Sequence, residues 1–598
     1  MKFTHSQPPI AELLAKKGQR FVIPEYQRPY RWGLDECETL WNDIIKVFGD
    51  GKNIEEYFLG SIVTYENKEN ELVVLEVIDG QQRITTFTLF FRALYESLKY
   101  ESSKGDFPKD FGKCLWDFSN RDDKFLFEQH HLQSKVITDD DDEVLKKLLG
   151  ETYEVKNAEP KDGVALSEKY EINNETSNYA KNYNFFIRKI MELKNNNSLD
   201  FKDFLDMVLG EKLFVLLVVC DSQDSAMTIF NTLNSRGLPL SNADLIKNQI
   251  YKAIESKEKR KEFANIWKEI ESKMEDSDAV KGFDFLFLQY MYAVRGNEGD
   301  NSSTTPGVLN FFTKGKGKGW LHKPETMPFI SNLANFWIEP KTYLNDSAYC
   351  YLSVLNLLKN DAWKGFVSCL VWRNKECFDA DADDFDKEKF SVEFNKYLPI
   401  LVKFLTFAFL NNNASTSVVR NMTVQMCAEL MNPEKFEGQK TNTPKVEGFS
   451  VPATNYMLSE ENFFESTRRF DTRKLKYLLF LYACIYSNFE KDINPENKSL
   501  EVEHILPKAW QNANFKEWDK ESHDEYLEQI GNKILLDRRS NSKCAENFFA
   551  EKQKTYKESK HLKEVADLGN REKNVWDKED IENRNQTIYK RLKTFLES

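Results

Sequence analysis

EVEHILPKAW (501–510), GNKILLDRRSNSKCAENFF (531–549) and EKQKTY (551–556) are the segments that decide the fold of the last part of this chain. The runs VEHIL and KILL are short and apolar, and turn or polar residues flank them, which predicts two β-strands. Residues 540–542 (SNS) are good helix caps, so we expect them to begin a helix that carries Phe548, Phe549, Lys552 and Tyr556. The predicted order is strand, loop, strand, helix.

These segments bring together residue types that suit phosphodiester hydrolysis. Glu503 and His504 are adjacent, and Asn532, Asn541 and Lys552 follow on the second strand and the helix. Hydrolysis needs a base for the attacking water and a cation for the charge on phosphorus. A histidine with a pKa near neutrality beside oxygen ligands for Mg²⁺ supplies both. The alternative, a hydrogen-bonded core histidine, is less favoured because four polar partners accompany His504.

Composition places the chain among folded, multidomain proteins. Its 598 residues are too many for one hydrophobic core, and 41% apolar with 30% charged residues is typical of a folded chain. The formal charge of -13 argues against a protein that coats nucleic acid through a global positive field. Residues 532–560 nevertheless contain eight lysines or arginines against four acidic residues, so the local charge is positive at the predicted site.

Targeting and cysteine patterns restrict the class further. The N-terminus lacks the apolar run of a secretory signal, and the longest apolar runs are too short to span a bilayer, so we expect a cytoplasmic protein without membrane partners. The nine cysteines contain no C-x-x-C pair, which supports neither a disulfide framework nor a zinc knuckle.

Near the N-terminus, the segment IPEYQRPYRW (23–32) mixes aromatic residues with arginines. Its two prolines favour extended backbone, so we expect Gln27, Arg28 and Arg31 to project from a loop before a helix. Arginine pairs with phosphate and aromatic rings stack on bases, so the segment is a candidate contact for nucleotide or DNA. An aromatic and arginine packing cluster remains the alternative.

A second N-terminal pattern is an apolar run, LVVLEVI (72–78), that leads directly into DGQQR (79–83). Apolar residues then recur at helical spacing, which predicts strand, polar turn and helix. A helix N-terminus suits an anion, and Gly80 lets the backbone approach it closely. Asp79 can hold a metal or a ribose hydroxyl, Gln81 and Gln82 can orient water, and Arg83 can meet phosphate. A polar cap of an ordinary αβ unit is the alternative.

Further along, a buried strand, LFVLLVV (213–219), is followed by IFNTLNSRGLPLSNADLIKN (229–248). The apolar spacing predicts two helices that bracket a polar turn, which carries Arg236. From about residue 256 to residue 495 the patterns are mainly helical, without an internal repeat.

The C-terminal motifs carry a family resemblance. E-H-I-L-P, then G-N-K-I-L-L, then N-x5-N-F-F-x2-K-x3-Y is similar to the HNH (ββα-metal) nucleases, specifically the GmrD-type domain of modification-dependent restriction enzymes. The resemblance implies that His504 is the general base, that Glu503 and Asn541 bind Mg²⁺ or Mn²⁺, and that Asn532 braces the loop that aims the histidine. Glu503 stands where these enzymes commonly have Asp, and Asn541 stands where many have His.

The N-terminal motifs resemble the partner domain of the same family, the GmrS-type domain with a ParB/sulfiredoxin-like core. The resembling segments are IPEYQRPYRW, FLGSIV (58–63), VIDGQQR (77–83) and IFNTLNSRGLPLSNADLIKN. The resemblance implies a nucleoside triphosphate site and a part in sensing modified DNA. The residues expected at the nucleotide site are Asp79, Gly80, Gln81, Gln82, Arg83, Arg28 and Arg236.

Together these patterns predict an α+β multidomain protein. We expect a ParB/sulfiredoxin-like αβ domain at 1–255, a mainly helical connecting region at 256–495 and an HNH nuclease domain at 496–598. We predict a nucleotide-regulated DNA endonuclease of antiphage defence that acts on modified phage DNA. A homo-oligomer is compatible with this prediction. The alternative is a ParB-like, nucleotide-switched DNA-binding or scaffold protein whose HNH domain does not cut. The residues expected to contact DNA are Arg31, Arg538, Arg539 and Lys543.

Overall fold

The chain forms two compact units, Met1–Lys268 and Glu269–Ser598. A computed structural model describes residues 2–49, 56–69, 72–99, 106–136, 141–152, 170–173, 176–195, 201–233, 242–277, 279–379, 385–410, 415–436, 459–490, 493, 500–509 and 518–597. The division into units has one boundary, after residue 268. The predicted domain limits at 255/256 and 495/496 stay predictions.

Strands and helices alternate in the N-terminal unit. Its described strands are β1 Phe3–Ser6, β2 Gln19–Ile23, β3 Tyr57–Glu69, β4 Leu72–Asp79, β5 Trp116–Ser119, β6 Lys124–His130, β7 Leu132–Ser134 and β8 Leu213–Cys220. Its described helices are α1 Ile10–Leu14, α2 Leu34–Gly49, α3 Gln81–Leu98, α4 Phe107–Lys113, α5 Asp142–Leu148, α6 Asn178–Asn195, α7 Phe201–Leu209, α8 Gln223–Leu233 and α9 Asn242–Ala253, and α10 Lys257–Glu275 begins in this unit.

Six of these strands form one mixed sheet in the order β1-β8-β3-β4-β2-β7. The strands β2 and β4 pair in parallel, as do β3 and β8, whereas β3 and β4 are antiparallel. Successive residues of a strand point to opposite faces, so Ile62 and Val77 enter a large core with α3 and α6, while Val63 and Ile78 enter a smaller core with α8. The sheet is therefore covered on both faces.

The sequence patterns of this unit are confirmed where they were strongest. The strands predicted at 72–78 and 213–219 lie in β4 and β8, the FLGSIV motif lies in β3, and the helix after DGQQR is α3. The two helices predicted on either side of the polar turn in 229–248 are α8 and α9. An α+β, multidomain architecture is confirmed as well.

The C-terminal unit is mostly helical and contains one two-stranded sheet. Its described helices are α11 Phe283–Asn297, α12 Val308–Thr313, α13 Thr326–Ile338, α14 Pro340–Tyr343, α15 Asp346–Asn356, α16 Lys364–Arg373, α17 Lys387–Leu410, α18 Thr416–Met431, α19 Pro433–Phe436, α20 Glu460–Arg468, α21 Thr472–Tyr486, α22 Lys520–Leu527, α23 Arg538–Cys544, α24 Phe549–Tyr556, α25 Lys563–Gly569 and α26 Lys578–Glu597. Its sheet pairs β9 Leu500–His504 with β10 Lys533–Asp537 in antiparallel fashion. None of the helices in the described ranges is long and apolar enough to cross a lipid bilayer.

The last helix, α26, supports the turn that leads into β10. The guanidinium of Arg584 donates to the carbonyls of Ile530, Gly531 and Lys533 at 3.2, 2.9 and 2.7 Å. The side-chain oxygen of Asn585 accepts from the N–H of Gly531 at 2.6 Å. A Cβ atom at Gly531 would lie 2.2 Å from the carbonyl oxygen of Ile581, so only glycine allows this close approach. The motif G-N-K is therefore built against α26.

One sequence prediction about the C-terminal helix is wrong. Residues 540–542 lie inside α23, which begins at Arg538 and is capped by Asp537, whose carboxylate accepts from the N–H of Ser540 at 3.0 Å. The chain then turns at Ala545, where φ is +39°, and α24 begins at Phe549. Aspartate is as good a cap as serine, and Asp537 is the last residue of β10, so the first helix starts earlier than predicted and a second helix carries Lys552.

Candidate functional site

The strand pair β9–β10 positions the predicted catalytic residues of the C-terminal unit. Lys533 is opposite His504 and Ile534 is opposite Glu503 in the antiparallel register. His504 is the last residue of β9, and its side chain is 15% exposed, so it borders solvent. Glu503 points to the other face and is buried. The two adjacent residues thus have different environments.

His504 lies beside an ion pair that the sequence did not reveal. Its Nε2 is 3.4 Å from Oε1 of Glu528, and Glu528 also pairs with the buried Lys533. Burial and the charge of Lys533 lower the pKa of His504 to about 4, and Glu528 opposes part of this effect. The expected pKa near neutrality is therefore corrected downward, because the ring is more buried and closer to cations than its sequence neighbours indicate. His504 is neutral at physiological pH.

Glu503 forms a buried ion pair with Lys552 of α24. The Nζ atom of Lys552 donates to Oε1 of Glu503 at 2.6 Å and to the carbonyl oxygen of His504 at 2.5 Å. The side chain of Lys552 has no exposed surface. Burial raises the pKa of Glu503, and the Lys552 charge opposes this shift. Lys552 therefore anchors the end of β9 from its buried face, and its ammonium group is not accessible to a substrate.

Asn532 fixes the backbone that follows His504. Its Oδ1 accepts from the N–H of Leu506 at 2.7 Å, and its Nδ2 donates to the carbonyl of Leu527 at 3.0 Å. Its own carbonyl accepts from the N–H of Ile505 at 2.9 Å. Asn532 is fully buried. These bonds join the turn after β9 to the segment before β10.

The predicted metal ligands, Glu503 and Asn541, have different protein partners. The Nδ2 atom of Asn541 donates to Oε2 of Glu501 at 2.7 Å. Oδ1 of Asn541 accepts from no described residue, whereas the Glu503 carboxylate accepts from Lys552 and from the backbone N–H of His504. In the described ranges no three or more His, Cys, Asp or Glu side chains are grouped so that they could hold a metal ion. The oxygen types suit Mg²⁺, which usually takes only one or two protein carboxylates.

The basic residues of α23 are accessible. Arg538, Arg539 and Lys543 are exposed on this helix, which follows β10 directly. Arg538 lies 3.9 Å from Glu501, and Lys543 lies 3.4 Å from Glu558. Exposed ion pairs of this kind are weak, so these side chains can exchange their partners for phosphate.

In the N-terminal unit, the DGQQR turn packs against the glycine of FLGSIV. Gly80 precedes α3 with φ of +89°, and a Cβ atom there would lie 3.0 Å from the carbonyl oxygen of Ser61. The guanidinium of Arg83 donates to that same carbonyl. A Cβ atom at Gly60, where φ is +108°, would lie 2.8 Å from the guanidinium carbon of Arg83. The two motifs therefore form one structural feature.

Asp79 lies at the end of β4, next to this feature. Burial raises the pKa of Asp79, while the charges of Arg83 and Arg28 and a hydrogen bond from Ser61 oppose the rise. Arg28 is exposed, and Asp79 and Arg83 are partly exposed. Three of the predicted nucleotide-site residues are therefore brought together at the N-terminus of α3.

The DGQQR motif predicts that the side-chain amide of Gln82 orients water, but this amide contacts protein groups instead. Its Oε1 accepts from the N–H groups of Arg31 and Trp32 at 2.8 and 3.1 Å, and its Nε2 donates to the carbonyl of Pro29 at 3.2 Å. This amide ties the IPEYQRPYRW loop to α3, and it is not available to orient water. Gln81 is also buried.

The IPEYQRPYRW loop differs from its prediction at one residue. Gln27 was expected to project but is buried, and its Nε2 lies 3.0 Å from the carbonyl of Ile78. The carbonyls at the end of β4 need donors, and a side-chain amide meets that need. Arg28 and Arg31 are exposed, as predicted. Arg236 lies outside the described residues.

Several site residues were missed by sequence reasoning. They are Gly60 and Ser61 beside Arg83, Glu528 and Lys533 beside His504, and Glu501 beside Asn541. Lys533 and Gly60 belong to the motifs GNKILL and FLGSIV, so the sequence contained a signal for both. Glu528 carried no such signal, because only the folded turn brings it to His504.

Two family models match the chain. The N-terminal domain of GmrSD restriction endonucleases matches residues 10–251, and their C-terminal domain matches residues 453–591. Together the two matches cover well over half of the sequence and include both sites described above. No curated protein matches the chain. The chain therefore belongs to the GmrSD family of restriction endonucleases.

Proposed function

We propose that the chain is a nucleotide-regulated, metal-dependent endonuclease that cuts modified DNA in antiphage defence. Membership of a restriction endonuclease family implies hydrolysis of phosphodiesters with DNA as the substrate. The finer assignments, an HNH-type centre with His504 as base and a ParB/sulfiredoxin-like nucleotide domain, are the proposal. The observation that carries it is a neutral, partly exposed histidine at the end of β9, with its backbone held on both sides.

His504 acts as the general base in this proposal. A base must be unprotonated before it accepts a proton from water, and a pKa lowered to about 4 keeps the ring neutral over the physiological range. Its Nε2 faces Glu528 at 3.4 Å, a distance that allows the carboxylate to stabilise the imidazolium once the proton has moved. The proton thus passes from water to His504, and Glu528 favours the charged ring.

Lys552 and Asn532 are positioning residues. Lys552 binds the carbonyl of His504 and Asn532 binds the N–H of Leu506, so the backbone is fixed before and after Ile505. A reacting group that is held in place lowers the entropic cost of reaching the transition state. Neither side chain is exposed.

In this proposal the carboxylate of Glu503 and the side-chain oxygen of Asn541 would hold a divalent metal. Mg²⁺ or Mn²⁺, when bound, neutralises the charge that develops on the phosphodiester oxygens. Lys552 offsets the charge of Glu503 and so favours the ionised carboxylate that a metal ligand must be. Arg538, Arg539 and Lys543, exposed on α23, supply positive charge for the DNA backbone, and Arg31 is the corresponding candidate in the N-terminal unit.

The N-terminal unit binds a nucleoside triphosphate in this proposal. The positive end of α3, Arg28 and Arg83 suit the phosphates, and Asp79 suits a ribose hydroxyl or a metal. Gly80, Gln81 and Gln82 form the turn itself, and Arg236 remains a predicted neighbour. Gln82 acts here by tying the IPEYQRPYRW loop to the helix.

One observation favours the second candidate, a nucleotide-switched DNA-binding protein that does not cut. Lys552 keeps Glu503 ionised, but its ammonium also occupies one carboxylate oxygen of Glu503 and competes with a metal for that carboxylate. Calorimetry with Mn²⁺ separates the two functions. Binding that Glu503→Gln weakens supports the nuclease, and the absence of binding by the unmodified chain supports the second candidate.

The decisive experiment compares two histidine variants on phage DNA with and without modified bases. His504→Ala is expected to lose at least about 100-fold in cleavage rate. The matched control is His561→Ala, because His561 is exposed and lies outside the site. Each assay is run with Mg²⁺, and with and without each nucleoside triphosphate. Unchanged cleavage by His504→Ala refutes the assignment of the base, and equal cutting of all DNA irrespective of nucleotide refutes the regulation.

A further inference from the structure

The turn that follows β9 depends on side chains for its hydrogen bonds. β9 ends at His504, so residues 505–507 lie beyond the strand pair. All three are buried, and buried backbone N–H and C=O groups are almost always paired. Asn532 binds the N–H groups of the first two residues, and Pro507 has only a carbonyl to pair. The order of this turn therefore depends on a donor for the Pro507 carbonyl.

His523 of α22 supplies that donor. Its Nε2 lies 2.7 Å from the carbonyl oxygen of Pro507. A carbonyl oxygen only accepts, so Nε2 carries a proton and donates it. The side chain of His523 is 1% exposed and Pro507 is buried, so water does not compete for this bond. A donor that is lost here leaves a buried carbonyl without a partner.

The imidazole of His523 is itself held near the start of α22. The helix begins with a capping box, in which the carboxylate of Asp519 accepts from the N–H of Ser522 at 2.8 Å. The backbone N–H of His523 donates to the carbonyl of Asp519 at 3.0 Å. The imidazole meets the ring of Trp518 edge to face, with 6.2 Å between the centroids. These contacts make His523 an anchor for the turn.

The other end of α22 contacts the proposed base. The carbonyl of Leu527, the last residue of the helix, accepts from Nδ2 of Asn532 at 3.0 Å. Glu528 follows directly, and its Oε1 lies 3.4 Å from Nε2 of His504. One helix therefore binds the turn at Pro507 and places a carboxylate beside His504. A shift of α22 against the turn changes the distance between that carboxylate and the imidazole.

We propose that His523 is a positioning residue of the nuclease centre. Its bond to Pro507 fixes the turn after His504 and keeps α22, with Glu528, in place against that turn. This inference rests on the proposed role of His504 as the base. His523 is buried and its Nε2 proton is already donated, so it acts through these residues and does not touch the substrate. Displacing a reacting group by about 1 Å can cost up to about 100-fold in rate.

The test compares two variants of His523 in cleavage of phage DNA with Mg²⁺. His523→Phe keeps an aromatic ring beside Trp518 and removes the donor. His523→Gln keeps a donor, because the glutamine Nε2 can reach the position of the imidazole Nε2. We expect His523→Phe to lower kcat by about tenfold and to change KM for DNA by less than about twofold, and His523→Gln to recover most of kcat.

The matched control is Asp524→Asn on the same helix. The Asp524 side chain is 62% exposed and lies 3.6 Å from Nδ1 of His523, so this variant alters the other polar contact of the imidazole. It is expected to leave kcat unchanged. Hydrogen–deuterium exchange supplies a readout that does not need activity. The peptides that contain residues 504–507 should exchange faster in His523→Phe and at the original rate in His523→Gln.

Several results overturn the proposal. They are full kcat in His523→Phe, no recovery in His523→Gln, and an equal loss in Asp524→Asn. Faster exchange throughout the C-terminal unit of His523→Phe, instead of around residues 504–507 and α22, assigns His523 to general stability and also overturns it. If His504→Ala loses cleavage while His523→Phe keeps it, only this inference fails. Unchanged cleavage by His504→Ala refutes the base and this inference with it.

Discussion

The pH dependence of cleavage should reveal the environment of His504. An ordinary histidine has a pKa near 6.5, whereas burial and Lys533 lower the pKa of His504 to about 4. This difference opposes protonation of the folded protein by about 3 kcal/mol. At pH 5 a base with the lowered pKa is about 90% neutral and an ordinary one about 3%, so the cleavage rate at that pH differs by about thirtyfold between the two cases.

Two variants should move this pKa in opposite directions. Lys533→Met removes the charge that disfavours the imidazolium and frees Glu528, so the pKa of His504 rises and activity at pH 5 falls. Glu528→Gln removes the charge that favours the imidazolium, so the pKa falls further. The same reasoning applies to stability: the unfolded chain takes up this proton near pH 6.5 and the folded chain only near pH 4. This contribution to stability is therefore complete above pH 6.5 and is lost as the pH falls towards 4.

The assay is the single-turnover cleavage rate from pH 4.5 to 8.5 at saturating Mg²⁺, with circular dichroism at each pH as a control for folding. The unmodified chain is expected to keep its rate down to about pH 5. A decline centred near pH 6.5, or a shift of both variants in the same direction, refutes the account of the His504 environment.

Three further predictions test the supporting contacts. Lys552→Met leaves the carboxylate of Glu503 buried without its partner and should lower the free energy of unfolding of the C-terminal unit by about 3–5 kcal/mol, measured by urea unfolding. The double variant with Glu503→Leu should recover most of this loss. A double variant no more stable than Lys552→Met contradicts the ion pair. Gly60→Ala places a Cβ atom 2.8 Å from the guanidinium carbon of Arg83 and should weaken the binding of a nucleoside triphosphate. Gly49→Ala is the control, because its Cβ atom meets nothing within 4 Å, and it should leave the affinity unchanged. Equal affinities for the two variants argue against the role of Arg83. Gln82→Leu removes the acceptor of the backbone N–H groups of Arg31 and Trp32, which costs about 1–3 kcal/mol for each group. The protease should then cut the IPEYQRPYRW loop faster in limited proteolysis. An unchanged proteolysis pattern contradicts this role of Gln82.

Local patterns predicted the elements of this fold better than their arrangement. The strands β3, β4 and β8 and the helix α3 follow from apolar runs and spacing, which depend on neighbouring residues. The sheet order β1-β8-β3-β4-β2-β7 does not follow, because it joins segments more than 200 residues apart, such as Phe3 and Cys220. The break between α23 and α24 was missed because it depends on the backbone turn at Ala545, a residue type that rarely has positive φ.

The candidate sites show the same limit. Motif chemistry selected His504, Asn532, Lys552 and Asp79, and the structure brings the first three to one strand end. The ionic contacts of these side chains come from partners that are distant in the sequence, such as Glu528 for His504 and Glu503 for Lys552. Ion pairs and desolvation depend on the folded geometry, so the lowered pKa of His504 was not readable from its flanking residues.

The contacts of α26 have a consequence for synthesis of the protein. Arg584 and Asn585 hold the turn at residues 530–533, and that turn carries Asn532 and the start of β10. The ribosome releases α26 after β9, β10, α23 and α24, because α26 follows them in the chain. We therefore expect a chain that is cut short before residue 578 to lack an ordered centre. Under the proposed function, copies of the chain that stop before α26 therefore do not cut DNA.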